Sequence, residues 1–385
     1  MDDVPAGPTS PVLRRPSLSV VVPVRNGGSD FGRCLQRLRG SSTNDFELIV
    51  VDDGSTDDSA ARATAAGATV LRLPAPRGPA AARNLGAQAA SSTLIFFLDA
   101  DVAVHPETLE RALDRFDTDP SLCALFGSYD DSPAAPGVVS QYRNLLHHFV
   151  HQQGVFRDQI RPAHTFWTGC GVMKRSVFLE YGGFDPRLYP RPAIEDIELG
   201  YRLTRAGHRV VLARDVLATH MKRWTLAEMI RTDIFRRGVP WMLLIKRYGT
   251  IETDLNVKLG QKACVALTGL ALMAAAGGAL SAWAWAVSGA AVALVVFLNL
   301  GFFAFLSRRK GLAFAAAALP LHLVYYCCCG LSVVIAESFW LLRRRAEGPL
   351  PKTPNARTDR GAPSIPRRAR QGWARRLASW RVRSR

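Results

Sequence analysis

The sequence predicts an α/β protein built on a mainly parallel sheet with helices on both faces, followed by a membrane-spanning region. Three observations carry this expectation. Apolar, β-branched and aromatic runs at residues 18–24, 46–51 and 94–98 alternate with helical patterns, as strand–helix–strand units do. Two of those runs end directly in paired acids, Asp52-Asp53 and Asp99-Ala100-Asp101. Much further on, residues 263–306 form a run of 44 residues without a charge, where one bilayer span needs about 20.

Residues 1–17 are polar and proline-rich, without the apolar core of a signal peptide, and are expected to be a disordered leader on the cytoplasmic side. The first strand, 18–24, runs into a turn at Arg25-Asn26-Gly27-Gly28. Ser29 and Asp30 can cap a helix that puts Phe31, Cys34, Leu35 and Leu38 on one face. The second strand, 46–51, ends in Asp52-Asp53-Gly54-Ser55-Thr56-Asp57, and an alanine-rich helix follows. A short third strand at 68–73 leads through Arg77 and Gly78 to a helix carrying Arg83 and Asn84. The run 94–98 then reads as a strand buried on both faces. Its two terminal carboxylates emerge at the sheet's carboxyl edge, where open α/β folds bind ligands. Carboxylates gathered there are costly unless a cation lies between them, and a divalent ion carrying phosphates answers that need.

A helix at 106–116, a strand near 123–126 and a helix at 141–152 come next. The last of these carries His147, His148 and His151, but no His-Glu-x-x-His placement, so it reads as a packing helix. A glycine-rich segment, 165–171, precedes Gly182-Gly183-Phe184-Asp185 and an acidic helix start at Glu195-Asp196. A further strand at 208–213 leads to His220, Lys222 and Arg223.

Taken together, Val22-Pro23-Val24-Arg25-Asn26, Val51-Asp52-Asp53-Gly54-Ser55-Thr56-Asp57, Arg83-Asn84-Leu85-Gly86 and Leu98-Asp99-Ala100-Asp101 resemble a family 2 glycosyltransferase of the GT-A nucleotide-sugar-binding fold. The resemblance covers roughly residues 18–245. It implies a donor site of Pro23, Arg25, Asn26, Asp52, Asp53, Arg83 and Asp99, with Asp53 or Asp52 toward the base and Asp99 toward the ribose. It further implies Mg²⁺ or Mn²⁺ held by Asp101, with His220 as a second protein ligand. Asp196 is then the general base of an inverting transfer. Trp167, Thr168, Gly169, Glu195, Lys222 and Arg223 fall on the acceptor and diphosphate side. The Gln-x-x-Arg-Trp of processive members is missing; Phe235-Arg236-Arg237-Gly238-Val239-Pro240-Trp241 stands nearest, which favours transfer of a single sugar.

The expected organisation is a leader (1–17), a catalytic domain (18–225), an amphipathic membrane-interface region (226–262) whose 226–248 stretch reads alternatively as a helix packed on the catalytic domain, a transmembrane region (263–342) and a basic tail (343–385). Within the transmembrane region, 263–306 reads as two spans, with Trp283 and Trp285 at an interfacial turn. The segment 312–342 is either one tilted span or a re-entrant segment bent near Pro320 or Gly330. Lys262 before the pair and Arg308-Arg309-Lys310 after it put both ends, and the catalytic domain, in the cytoplasm. The formal charge is +17, yet fourteen Lys/Arg against two acids in the tail account for +12 of it. The basic pI therefore belongs to the tail, whose Arg, Trp373 and Trp380 suit anionic membrane lipids better than nucleic acid. Seven cysteines, three of them consecutive at 327–329, form no disulfide or zinc pattern. The expected activity is metal-dependent transfer from a nucleotide sugar to a lipid-linked or cell-envelope glycan. A catalytically idle scaffold and a nucleotidyltransferase are the rivals, and the latter lacks its glycine-rich phosphate loop with lysine.

Overall fold

The computed structural model describes residues 16–249 and 259–347, with side chains through Leu342. Most of the expected leader, residues 250–258 and the tail from 348 onward, with its expected lipid contacts, lie outside the described residues. Strand β1 (Leu18–Val24), helix α1 (Gly28–Arg39), β2 (Phe46–Asp52), α2 (Ser59–Ala65), β3 (Thr69–Arg72), α3 (Pro79–Ala89) and β4 (Leu94–Leu98) come first. They are followed by β5 (Val102–Val104), α4 (Thr108–Thr118), β6 (Leu122–Tyr129), α5 (Val138–His151), β7 (Ile160–Pro162), β8 (Cys170–Lys174), α6 (Arg175–Glu180), α7 (Glu195–Arg205) and β9 (Arg209–His220).

All of the strands join one sheet, in the order β3-β2-β1-β4-β8-β6-β9-β5, with β7 also on β9. Its first half, β3-β2-β1-β4, is parallel, as the alternation of strands and helices requires. The second half is mixed. Strand β8 runs antiparallel to both β4 and β6, β6 runs parallel to β9, and β5 and β7 run antiparallel to β9. Those reversals build the site. Pairing of β4 with β8 sets Leu98 opposite Cys170, so the Asp99 N–H donates to the Gly169 carbonyl at 3.4 Å. Pairing of β5 with β9 sets Val102 opposite His220, which brings His220 beside Asp101.

Alternation along the central strands feeds two cores. Val20, Val22, Val50, Phe96 and Leu98 face one, while Val21, Ile49, Val51, Ile95 and Phe97 face the other. Each such side chain contributes about 1.5–3 kcal/mol on burial. That two-sided burial is why these runs are continuously apolar rather than alternating.

Beyond β9 come α8 (Leu226–Arg231), a π-helical segment (Thr232–Gly238) and α9 (Val239–Tyr248). Pro240 lies in the first turn of α9 and has no N–H to return to the preceding turn, and the chain widens there instead of breaking. The whole segment is a packing layer. Ile234 and Val239 join Cys328 and Ala336, whereas Leu244 joins Tyr189, Ile194 and Tyr201 of the sheet domain.

Helices α10 (Leu259–Gly277), α11 (Ala282–Leu298), α12 (Leu300–Lys310) and α13 (Leu312–Glu347) complete the described chain. Among the described residues α10 and α13 are each long and apolar enough to cross a membrane, and α11 and α12 form a pair bent by 72°. The second span read from residues 263–306 is thus interrupted. Asn299 sits at the bend, where its amide donates to the Val295 carbonyl at 2.8 Å and reaches Cys264 Sγ at 3.3 Å. Trp283 and Trp285 are exposed at the α10–α11 turn. Helix α13 is continuous and has no break at Pro320 or Gly330, contrary to the bent alternative. Neighbouring helices let membrane-spanning helices tolerate proline.

Helix α5 belongs to both parts of the molecule. Tyr142, Leu145 and Leu146 share a core with Phe302, Leu306, Ala318 and Tyr326. Tyr142 Oη lies 2.8 Å from His322 Nδ1, His322 Nε2 lies 3.2 Å from Asn299 Oδ1, and Tyr326 donates to Asn299 Oδ1 at 2.9 Å.

A Cβ on Gly127 of β6 would stand 2.0 Å from the Val216 carbonyl oxygen, beside the irregularity where β6 shifts register on β9. Gly127→Ala should therefore destabilise the protein by at least about 1–3 kcal/mol. Gly289→Ala, with open space around its Cβ, should not. Thermal unfolding in detergent measures both, and equal midpoints would refute the close approach.

Candidate active site

The carboxyl ends of β1, β2 and β4 carry the first group of polar residues. Asn26 has φ +52, a backbone conformation asparagine tolerates. Its N–H donates to Ser55 Oγ at 3.0 Å, and its Oδ1 accepts from the Thr56 N–H at 2.8 Å. Two turns, after β1 and after β2, are thereby joined. Pro23 is half-buried and Arg25 exposed at the same edge. Asp52 is fully buried and accepts from the Ser55 N–H at 2.8 Å, with Arg72 Nε at 3.2 Å from its other oxygen. Asp53 accepts from the Arg77 and Gly78 N–H groups at 2.6 and 2.8 Å. Of the acids after β2, Asp52 holds its own turn, and Asp53 holds the loop that leads into α3.

Arg83 of α3 joins the two halves of the site. It is 4% exposed, and it donates to Asp99 Oδ1 at 2.6 Å and to Glu195 Oε1 at 2.9 Å. Glu195 also accepts from the Ala193 N–H at 2.9 Å. Glu195 is therefore a buried structural partner of Arg83 and does not face an acceptor or diphosphate from the open cleft. Burial raises its carboxyl above the ordinary range despite the Arg83 charge, with Asp196 adding to the rise. The Asp99 side chain is 30% exposed, so it keeps an open side.

Asp196, at the start of α7, accepts from the Thr168 N–H at 3.1 Å and Thr168 Oγ1 at 3.2 Å. Burial lifts its carboxyl above the usual aspartate range; the Thr168 and Ile197 N–H groups and Arg83 oppose that, and Asp99 adds to it. Trp167 is half-buried in an aromatic wall, 4.6 Å from the Tyr129 ring, 5.0 Å from His147 and 5.4 Å from His151. A Cβ on Gly169 would meet the Trp167 ring at 2.3 Å. The three histidines of α5 are packing residues, as read from the sequence. His148 Nδ1 lies 2.7 Å from the Tyr129 carbonyl and His151 Nδ1 3.2 Å from that of Gly127.

On the far side of Asp99, His220 Nε2 lies 3.7 Å from Asp101 Oδ2. The His220 ring stacks on Tyr129 with centroids 4.3 Å apart and planes within 6°. Burial raises the Asp101 carboxyl, but His220 beside it, when protonated, and the Lys222 charge outweigh it and hold the group low. One carboxylate oxygen and one imidazole nitrogen facing each other are a fitting donor set for Mn²⁺ or Mg²⁺. Among the described residues no group of three His, Cys, Asp or Glu gathers for a metal. The rest of the coordination shell then has to come from water or phosphate. Lys222 Nζ sits 4.5 Å over the Trp224 ring. Arg223 is exposed at a cavity of about 640 Å³ that Ser29, Asp30, Arg33, Pro136 and Met221 also line.

Three residues here escaped the sequence reading: Tyr129, Asn144 and Arg237. Arg237 is on the π-helical segment, where burial and the Arg143 charge push its guanidinium down and the Asp233 and Asp196 carboxylates oppose that. Asp233 itself takes both guanidinium nitrogens of Arg143. The doublet Arg236-Arg237 was visible in the sequence, but it read as a membrane-facing charge. Cys170 is fully buried and burial pushes its thiol up, so it is no nucleophile.

Comparison with known proteins places the chain in a family. Residues 19–182 match the family described as Glycosyl transferase family 2. A pre-mycofactocin glycosyltransferase of Mycobacterium tuberculosis is 30% identical over 287 residues, covering 72% of this chain and 54% of that protein. The chain thus spans about half the length of that relative. A validoxylamine A glucosyltransferase of Streptomyces hygroscopicus is 30% identical over 292 residues, covering 62% of this chain and 67% of that one. Among solved structures, the mannosyltransferase PcManGT from Pyrobaculum calidifontis, in complex with GDP-Man and Mn²⁺, aligns at a TM-score of 0.52 with 19% identity. It covers 86% of this chain and 89% of its own, a likeness of fold. With its sheet, its strand-end carboxylates and these relatives in agreement, the chain belongs to glycosyltransferase family 2 and has the GT-A fold.

Proposed function

We propose that the chain is an inverting glycosyltransferase that moves one sugar from a nucleoside-diphosphate sugar to an acceptor hydroxyl at the cytoplasmic face of the membrane. The acceptor is a lipid-linked or cell-envelope glycan. The observation that carries this reading is Arg83, which holds Asp99 on one side of the cleft and the Glu195-Asp196 start of α7 on the other. Support also comes from relatives named as glycosyltransferases and from a structural neighbour solved with GDP-Man and Mn²⁺.

In this reading Pro23, Arg25, Asn26 and Asp53 border the nucleoside, with Asp52 bracing the turn beneath, and Asp99 takes the ribose. Asp101 and His220 would hold the divalent cation, which when bound neutralises charge on the diphosphate. Lys222 and Arg237 oppose the same negative charge from the protein, with Arg223 at the cavity mouth. Trp167, Thr168 and Gly169 form the acceptor wall. Asp196 takes the proton from the acceptor hydroxyl as its oxygen bonds to the anomeric carbon. The bond from that carbon to the diphosphate breaks, and the nucleoside diphosphate leaves with the electron pair. One base and one displacement invert the centre, and no covalent intermediate is required.

Asp196→Asn should lower turnover by about 10²–10⁴-fold while leaving nucleotide binding intact; product formation at the wild-type rate would put the base elsewhere. Because burial, helped by Asp99, raises Asp196, and because the base works ionised, activity should fall as pH drops through a pKa above the ordinary aspartate value of about 3.9. A kcat/KM profile without an acid limb above that value removes Asp196 from the role. Asp101→Ala should abolish the Mn²⁺ dependence of nucleoside-diphosphate binding, measured by calorimetry with and without Mn²⁺. Unchanged dependence sinks the metal assignment.

A further inference from the structure

We infer that Asn144 is the positioning residue that selects the metal-binding form of His220. The inference rests on the reading that Asp101 and His220 hold a divalent cation.

Histidine can face a cation only with a ring nitrogen that has lost its proton, and the proton must then reside on the other nitrogen. Two contacts control His220. Stacking on Tyr129, at 4.3 Å and 6°, fixes the plane of the ring. It does not fix the proton, because a neutral imidazole stacks equally well in either tautomer. The second contact decides. His220 Nδ1 lies 2.6 Å from Asn144 Oδ1. A carbonyl oxygen only accepts, so Nδ1 carries the hydrogen, and in the neutral ring that leaves the lone pair on Nε2. That lone pair faces Asp101 Oδ2 at 3.7 Å, longer than a hydrogen bond. In that neutral form two acceptor atoms confront each other, an arrangement that a cation relieves.

The amide accepts a penalty for this orientation. Asn144 is 1% exposed, and its Nδ2 has no hydrogen-bond partner among the described residues. With the amide turned over, Nδ2 would donate to Nδ1, the imidazole proton would move to Nε2, and Nε2–H would point at Asp101. That form suits a hydrogen bond and not a metal.

The support for Asn144 is rigid on three sides. Its neighbour Tyr142 reaches His322 of α13 at 2.8 Å, and Arg143 is paired with Asp233 of the π-helical segment. Residues 142, 143 and 144 therefore tie α5 to the membrane helix, to the π-helical segment and to the end of β9 in turn.

The test uses the full chain in detergent, with Mn²⁺ as the probe, in the presence of GDP and separately of UDP. Binding is followed by the loss of the free Mn²⁺ electron paramagnetic resonance signal, and electron spin echo modulation reports a coordinated histidine nitrogen. Asn144→Leu should weaken Mn²⁺ binding by about 10–100-fold and remove the nitrogen coupling. Asn144→Asp, nearly the same shape and still an acceptor, should keep the coupling and bind at least as tightly as the wild type. Wild-type affinity and coupling in Asn144→Leu overturn the inference while the metal reading stands. If Asn144→Leu does not fold, loss of coupling in a folded Asn144→Asp overturns it as well. A wild type whose Mn²⁺ binding is unaffected by Asp101→Ala and His220→Ala refutes the metal reading, and this inference with it.

Discussion

The site depends on one buried cation. Six acids (Asp52, Asp53, Asp99, Asp101, Glu195 and Asp196) stand near the carboxyl ends of β2 and β4 and the start of α7, and Arg83 is the guanidinium that two of them share. Its geometry is of the strong, charge-assisted kind, at 2.6 and 2.9 Å. Removing one partner of such a buried pair costs about 3–5 kcal/mol, since the other is left uncompensated. Arg83 therefore does more than neutralise. It ties a strand end from the first half of the sheet to a helix start that lies 112 residues beyond Arg83 itself.

Electrostatics then separates the roles of three carboxylates that sequence alone makes look alike. Asp101 is held low by His220 and Lys222, a state suited to lasting negative charge. Asp196 is lifted by burial, a state suited to receiving a proton. Glu195 is lifted as well, but its oxygens are spoken for by Arg83 and the Ala193 N–H. Only Asp196 combines the higher pKa with a half-buried position. Neighbouring acids on one helix turn thus divide into a brace and, in the proposed reaction, a base.

The parts of this arrangement legible in the sequence were those written locally. Residues 94–98 announced a strand buried on both faces, and Asp99 and Asp101 declared themselves by following it. Asp196 was found through a short acidic signature. Asn144 could not be found that way, because its meaning lies in a contact 76 residues away. Arg237 was hidden for a different reason: an arginine among aromatics near an apolar run looks like a lipid-facing charge until the fold buries it near Arg143 and Asp233. The mixed half of the sheet was likewise unreadable, since strand direction depends on which neighbour a short strand finds. In the membrane region composition located the helices but not their shape. Asn299, an ordinary polar residue in a long apolar run, bends the chain, whereas Pro320, the expected breaker, lies inside a continuous helix.

Helix α5 has a consequence for how the molecule can be divided. Tyr142, Leu145 and Leu146 fill the core between the helices that follow the sheet domain, while Asn144 and His148 touch the sheet domain itself. The helices after residue 259 are therefore not a stalk on which an independent enzyme swings. A soluble fragment cut at residue 225 would carry a bared apolar stripe on α5, and would tend to stick to itself or to detergent. The practical unit of this protein is the sheet together with its helices, joined through that shared core.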